Sequence, residues 1–480
     1  MKKWIWTLVG MVLTIVVITS AKINAQVSKP EIWNNAAGLR QEQFSLPDGS
    51  SVSPNVYADE KKWARWVKEW KKVRDSFEQV ALSPGTNTSE LNYAWYSKKQ
   101  GVPKVRLTKQ DGKKINKTFV GTQNLEQKIV LNGVTYYPNR VTISGLAENS
   151  TYSYKYGFDG SWSKNYSYTV HDSSQFSVLF VGDPQIGASV GQLATTENDF
   201  ENYKEYYARN DAYNWNETLT MAMKSHPKIQ FILSTGDNVN ERVNDSEDES
   251  ACLEQQREFA GFLYPEVLRS LPMATAIGNH DNQTRNLDNH FYMPNSYQEE
   301  EDASIAGRDY YFTYGQTLFL VINTNNKNIE THETFMKDAI AQNQDCKFRV
   351  LMCHHDIYSS GCRPDSEERV ELKTKFVPVI EDAKIDLVLE GHGHTYLLSK
   401  PMGKSGTIYL EANSSTGSKF YKLKEEKEAF VAVDNQNWRP TYTILNFGRD
   451  ELQITTYDAA THEILKGENN RRATYTIVKR

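Results

Sequence analysis

Five short runs of this 480-residue chain carry side chains able to hold a metal ion, and each lies just past an apolar segment. Phe176–Val181 runs into GDPQIG, with Asp183, and Ile229–Ser234 runs into TGDNVNE, with Asp237. Residues 273–277 run into GNHD, with Asn279 and His280. Phe348–Met352 runs into CHHD, with His354 and His355, and residues 385–389 run into EGHGH, with His392 and His394. Apolar runs of this length read as buried strands, and open α/β sheets bind ligands at the carboxyl ends of their strands. Carboxylate, amide oxygen and imidazole suit Zn, Fe or Mn better than an ion that prefers thiolate. Asp183, Asp237, Asn279, His354, His392 and His394 are more donors than one tetrahedral ion needs. They suit two ions sharing a carboxylate, an arrangement that cleaves phosphate esters by neutralising phosphate oxygens and lowering the pKa of water. A lone GD or GNH carries little weight. The information is in the order of the blocks and in their placement at the ends of apolar runs.

The order GD, GD, GNHD, HH, GHxH, over roughly residues 174–420, resembles the calcineurin-like metallophosphoesterase superfamily. Ahead of it, ISGLAENSTYSYKYG and WSKNYSYTV resemble the end of the fibronectin-type-III-like domain found in purple acid phosphatases and related exported bacterial phosphoesterases. The resemblance implies an N-terminal β-sandwich followed by a four-layer α/β/β/α catalytic domain. It implies that Asp237 bridges both metals, that Asp183 and His394 bind the first, and that Asn279, His354 and His392 bind the second. His280 would stand beside the substrate phosphate, stabilising the transition state or protonating the leaving group, while hydroxide made available by the metals attacks phosphorus in line. The implied enzyme is an acid-phosphatase-like metal-dependent hydrolase of small phosphomonoesters. A phosphodiesterase acting on nucleotides or glycerophosphodiesters would use the same ligands, so it stands as an alternative. A surface-binding protein with a vestigial metal domain is a second alternative, disfavoured by the retention of every main ligand type.

The chain departs from its relatives at two positions. Much of the superfamily has DxH in the first block, where this chain has Asp183-Pro184-Gln185. Purple acid phosphatases place a colour-giving Tyr three residues after the second-block Asp, where this chain has Asn240. Gln185 or Asn240 is thus left as a neutral supplement to the first metal, the ion identity stays open among Fe, Zn and Mn, and the protein is expected not to be purple. His355 is expected as a neighbour or substrate contact. Arg363 is a candidate phosphate grip, because a guanidinium fork matches phosphate oxygens.

The rest of the chain must position these residues. MKKWIWTLVGMVLTIVVITSAKINAQ pairs Lys2 and Lys3 with an uncharged apolar run and small residues at Ala21 and Ala25. It reads as a secretory signal peptide over residues 1–25, with an uncleaved anchor as the alternative, and predicts a secreted, periplasmic or cell-surface protein. Residues 26–78 form a lead-in with an amphipathic helix over 59–77, marked by Trp63, Trp66, Trp70, Val73 and Phe77 at helical spacing. Residues 79–172 alternate in short runs between turn pairs such as Asn132-Gly133, the pattern of a sandwich. Its tyrosines are expected to pack their rings and leave their hydroxyls wet. Residues 173–480 form the catalytic domain, with helices over 215–226 and 255–270 and a hairpin of 442–447 with 452–457.

Composition limits the other readings. Hydrophobic residues are 39% and charged residues 24%, as a globular core requires, which excludes collagen-like and wholly disordered chains. The net charge of -5 gives no sign of a nucleic-acid-binding surface. No segment after the N-terminal one is long and apolar enough to span a membrane. Cys252, Cys346, Cys353 and Cys362 contain no CxxC pair, so a thiolate zinc site is unsupported. A Cys353–Cys362 disulfide and free buried thiols stand as alternatives.

Overall fold

A computed structural model describes residues 44–45, 51–52, 60–189, 204–243, 249–300, 303–361 and 367–479. The signal-peptide reading of residues 1–25 lies outside them, as do Arg363 and Cys362. Among the described residues, no helix is long and apolar enough to cross a membrane.

Two sheets stack face to face in the larger domain. One has six strands in the order Met273–Thr275, Ile229–Ser234, Phe176–Val181, Thr441–Phe447, Glu451–Asp458, Thr474–Val478. Its first three strands are parallel, and the expected hairpin joins them antiparallel through Phe176↔Phe447. The other has seven strands in the order Tyr310–Tyr314, Thr317–Val321, Phe348–Met352, Leu387–Glu390, Ile408–Glu411, Tyr396–Ser399, Val431–Asn435. Both faces of these sheets are covered, so the central strands are apolar along their whole length rather than alternating. Phe231, Phe312, Phe319 and Phe447 fill the space between the sheets. The helices Ile329–Gln342 and Glu367–Asp382 cover the second sheet. The helices Lys204–Ser225 and Glu249–Leu263 cover the first. The result is the expected α/β/β/α order of layers.

The amphipathic helix of the lead-in spans Glu60–Val73. Trp66, Trp70 and Val73 are buried in the cluster that covers the first sheet, alongside Trp215 and Phe262. Trp66 Nε1 donates to the carbonyl of Arg209 at 2.8 Å. Trp66 and Trp70 are therefore core packing, and the core is that of the larger domain. Asp59, the expected start of the helix, lies outside the described residues. The helix expected over 215–226 begins earlier, at Lys204, and the one expected over 255–270 divides into Glu249–Leu263 and a short 3-10 turn, Glu266–Arg269. The break falls at Pro265, which cannot donate to the preceding turn.

The N-terminal β-rich domain is two packed five-stranded sheets. One is built on Glu90–Ser97 and Val134–Ser144, the other on Lys104–Gln110 and Ser150–Phe158. Leu91, Tyr93, Trp95, Val105, Val141 and Tyr154 meet between them. The tyrosine hydroxyls do not all reach water. Tyr152 Oη accepts from the Ala147 amide at 2.9 Å. Tyr154 Oη donates to the carbonyl of Arg269 at 2.8 Å, so one ring of the sandwich is tied to the larger domain.

Candidate metal centre

The carboxyl ends of both sheets meet along one edge, and the five blocks meet there. Asp183, Asp237, His354 and His394 are buried, while Asn279, His280 and His392 are partly buried. The GxH and GD turns leave unusual backbone: Asp183 has φ 37, Gln185 φ 37, Asp237 φ 44, His392 φ 66 and His394 φ 47. A side-chain-bearing residue rarely takes positive φ, and such strain clusters where function over-determines the conformation. Two glycines are required by close approach. A Cβ on Gly278 would lie 2.1 Å from Asp237 Oδ1, and one on Gly391 would lie 2.5 Å from Asp183 Oδ2.

His354 is the hub. Its Nδ1 lies 3.0 Å from the carbonyl oxygen of Thr235, which can only accept, so the ring proton sits there and Nε2 carries a lone pair. That Nε2 faces Asn279 Oδ1 at 3.0 Å, His392 Nδ1 at 3.1 Å and Asp237 Oδ2 at 3.5 Å. Lone pairs converging in this way are what a cation satisfies, and Asp237, His354 and His392 together have metal-ligating geometry. Asp183 flanks the group: both of its oxygens accept from the His392 amide, at 3.1 and 2.9 Å, and Oδ1 is 3.8 Å from His354 Nδ1. Burial, and then the neighbouring Asp237 carboxylate, push the Asp183 carboxyl well above its ordinary range. Burial raises Asp237 too, but the His354 and His280 rings where they carry charge, the His280 amide and the charge of Lys419 together lower that carboxyl below its usual value. One of two adjacent buried acids is thus driven to keep a proton unless a cation takes its place.

Gln185 and His394 each follow a member of this group by two positions, after Asp183 and His392. Gln185 Nε2 lies 3.4 Å from Asn240 Oδ1, and its buried Oε1 has no protein partner. An orphaned buried amide oxygen on the turn that carries Asp183 fits a neutral supplement to a cation. The Gln185 amide also donates to the Asp237 carbonyl at 2.8 Å, locking the first block to the second. The buried His394 ring packs edge-on to Tyr421 at 5.4 Å. His355 is beside the hub, 4.7 Å between rings from His392, and its Nδ1 lies 2.8 Å from Thr324 Oγ1. His355, Glu368 and His392 form a second group of close donor atoms, though Lys327 already pairs with Glu368 at 3.1 Å.

His280 is held by the main chain. Its Nδ1 faces the carbonyl oxygen of Asn240, its amide donates to Asp237 Oδ1 at 2.8 Å, and its Nε2 is 4.0 Å from Asp237 Oδ2. The Asn240 backbone, rather than a side chain, orients this histidine. The Asn240 turn is itself pinned: buried Glu258 accepts from the Asn240 and Glu241 amides at 2.8 and 2.7 Å. Burial lowers the His280 pKa more than the Asp237 charge raises it. Sequence reasoning missed Glu258, which is far from any block, and Arg242, which lies in the polar run after the second block. Arg242 Nη2 is 3.2 Å from His280 Nε2. Cys353 follows the strand Phe348–Met352 as a buried free thiol, with Sγ 3.6 Å from the His355 carbonyl.

The calcineurin-like phosphoesterase model matches residues 176–396, and the purple acid phosphatase N-terminal domain model matches residues 77–170. Purple acid phosphatase 4 of Arabidopsis thaliana is 23% identical over 269 residues, covering 51% of this chain and 74% of the relative. The structure of purple acid phosphatase PPD1 from yellow lupin (Lupinus luteus) seeds superposes with a TM-score of 0.60 at 17% identity, over 83% of this chain and 74% of that one. That likeness establishes a shared fold.

Proposed function

We propose that this chain, a calcineurin-like metal-dependent phosphoesterase whose homologues are purple acid phosphatases, hydrolyses phosphomonoesters and releases inorganic phosphate. The observation that carries the reading is the convergence of Asn279, His392 and Asp237 on His354 Nε2, with Asp183 behind them and His280 alongside. Purple-acid-phosphatase-like enzymes use a dinuclear metal centre, and the residues here fit one. Asn279, His354 and His392 would hold one ion, Asp183 and His394 the other with Gln185 as a neutral supplement, and Asp237 would stand between them. When bound, two such cations neutralise phosphate oxygens and lower the pKa of water.

The chain's own residues do the rest. The Thr235 carbonyl fixes the His354 tautomer, so Nε2 is presented as a ligand. The His392 amide holds the Asp183 carboxylate. His280, oriented by the Asn240 carbonyl and its amide bond to Asp237, would meet a phosphoryl oxygen. Burial of Asp183 and Asp237 keeps bulk water from screening these charges. The Lys-led apolar segment at the N-terminus supports export as the setting.

The test is a phosphate-release assay on p-nitrophenyl phosphate and on bis-p-nitrophenyl phosphate, with Mn, Zn and Fe each supplied and metal content measured. Turnover of the monoester well above the diester is expected. A rate on the diester equal to or above that on the monoester would replace this reading with a phosphodiesterase. Asp237→Asn is expected to lose bound metal and turnover together.

A further inference from the structure

Charge is unevenly spread along this chain. The sandwich, residues 79–172, holds twelve Lys and Arg against six Asp and Glu, so it carries +6 within a chain of net charge -5 and leaves -11 to the remainder. The excess gathers on one sheet. Lys104–Gln110, Lys113–Val120 and Ser150–Phe158 contain seven Lys and Arg and no Asp or Glu. Val105, Leu107, Tyr152 and Tyr154 of these strands fill the sandwich core. Lys104, Arg106, Lys109, Lys114 and Lys155 stand on the outer face. The acids in the adjoining turns are engaged: Asp159 pairs with Lys104, and Asp111 Oδ1 accepts from the Thr151 amide at 2.8 Å. The register makes the arrangement costly. Arg106 stands directly opposite Lys155, and Lys109 directly opposite Lys114. Like charges at facing positions of neighbouring strands repel. Lysines on an edge strand guard it against pairing with another chain, which accounts for Lys113, Lys114 and Lys117. It does not account for Arg106, Lys109 and Lys155, whose strands are paired on both sides.

We propose that the outer face of this sheet docks an acidic glycan, a sugar polymer that carries sulfate, phosphate or carboxylate groups. Anionic groups laid over the face turn both facing repulsions into shared attraction. Arg106 is braced for that contact: its Nε donates to Thr118 Oγ1 at 3.2 Å, and its guanidinium lies 4.3 Å from the centre of the Trp162 ring. Thr118 and Ser153 put hydroxyl groups among the cations, opposite Arg106 and Lys109, which matches a chain that mixes hydroxyls with charge. A bilayer fits the face less well. Val120 is the one large exposed apolar side chain of these strands, and it offers little to insert among acyl chains. Docking here is separate from the metal centre, and it stands or falls independently of the reaction catalysed there.

The full chain is titrated by calorimetry with dextran sulfate, with neutral dextran, with phosphatidylglycerol vesicles and with a DNA duplex. Two triple variants are compared with it: Lys109→Gln, Lys114→Gln and Lys155→Gln on the face, and Lys68→Gln, Lys71→Gln and Lys404→Gln, exposed lysines outside the sandwich. Wild-type protein should bind dextran sulfate, more weakly as salt rises, and should not bind neutral dextran. The face variant should bind dextran sulfate at least about 10-fold more weakly, and the control variant should stay within about 3-fold of wild type. Both should keep wild-type turnover of p-nitrophenyl phosphate, which shows that they fold. Without polymer, the face variant should resist urea at least as well as wild type, because it relieves both facing pairs. No binding of dextran sulfate by wild-type protein, or equal losses in the two variants, overturns the proposal. Vesicles or DNA bound through the face lysines more tightly than dextran sulfate would overturn it in favour of a bilayer or a nucleic acid.

Discussion

Gly278→Ala isolates the contact on which the centre most depends. The added Cβ would lie 2.1 Å from both the amide nitrogen and Oδ1 of Asp237, and 2.7 Å from its Cα. Ordinary van der Waals contact begins at 3.4 Å, so a gap of more than about 1 Å must open. The neighbour is backbone and a carboxylate that already accepts from the His280 amide, so no flexible tip can swing aside. Displacing a reacting constellation by about 1 Å costs on the order of 100-fold in rate, and overpacking of this kind costs roughly 1–3 kcal/mol in stability. Gly278→Ala is therefore expected to fold, to lose at least about 100-fold in kcat, and to bind less metal. Gly448→Ala, where the nearest neighbour of a new Cβ is 3.4 Å away, is the control and should behave as wild type. The assay pairs phosphate release with metal content and a urea unfolding curve on the same preparation. Gly278→Ala protein with full metal and kcat within about 3-fold of wild type would refute the claim that this glycine holds the Asp237 carboxylate in place.

Three further expectations concern separate parts of the molecule. Burial holds the His290 pKa down to about 3, so the folded chain keeps it neutral while the unfolded chain protonates it near 6.5; stability should fall as pH drops from about 6.5 toward 3, by up to about 1.4 kcal/mol per pH unit. His290→Gln should flatten that slope in urea unfolding between pH 6.5 and 4.5, and an unchanged slope would count against it. Arg369 pairs with Asp356 at 2.5 Å, both nearly inaccessible, beside the buried acids Glu390 and Glu411. Arg369→Met leaves an unpaired buried charge and should cost about 3–5 kcal/mol; a loss under 1 kcal/mol would show the pair to be dispensable. Iron-loaded protein should show no intense visible charge-transfer band, because Asn240 stands where relatives supply a tyrosinate and its side chain faces Gln185. Such a band would assign a different tyrosine to the metal.

The sequence makes the centre legible because its parts lie at strand ends. An apolar run followed by Gly and a donor residue encodes both position and chemistry, so Asp183, Asp237, Asn279, His354 and His392 meet as the blocks imply. Arg242 carries no such mark. It sits in a polar run, NERVNDSEDES, whose charges read as solvated surface, and only the fold of the turn brings it to His280. Glu258 and the Asn240 carbonyl are silent for another reason: they act through backbone amides and a backbone oxygen, which every sequence has. Periodicity found the tryptophan helix, but a stripe at helical spacing does not say which surface it covers. The wet-hydroxyl expectation failed at Tyr154 because the ring's far end meets a second domain, a contact between segments 115 positions apart.

The placement of the helix Glu60–Val73 changes how the two domains are to be separated. The chain enters the core of the larger domain with Trp66 and Trp70, leaves it to build the sandwich, and returns at Phe176. In three dimensions the sandwich is therefore an excursion from the larger domain, fastened at both ends and again through Tyr154 and Arg269. A fragment beginning at residue 173 would expose the apolar surface that Trp66 and Trp70 cover, so the smallest autonomous phosphoesterase unit of this chain includes residues on both sides of the sandwich. Removing the sandwich cleanly means splicing it out with a short linker, since truncation would take a wall of the catalytic core with it.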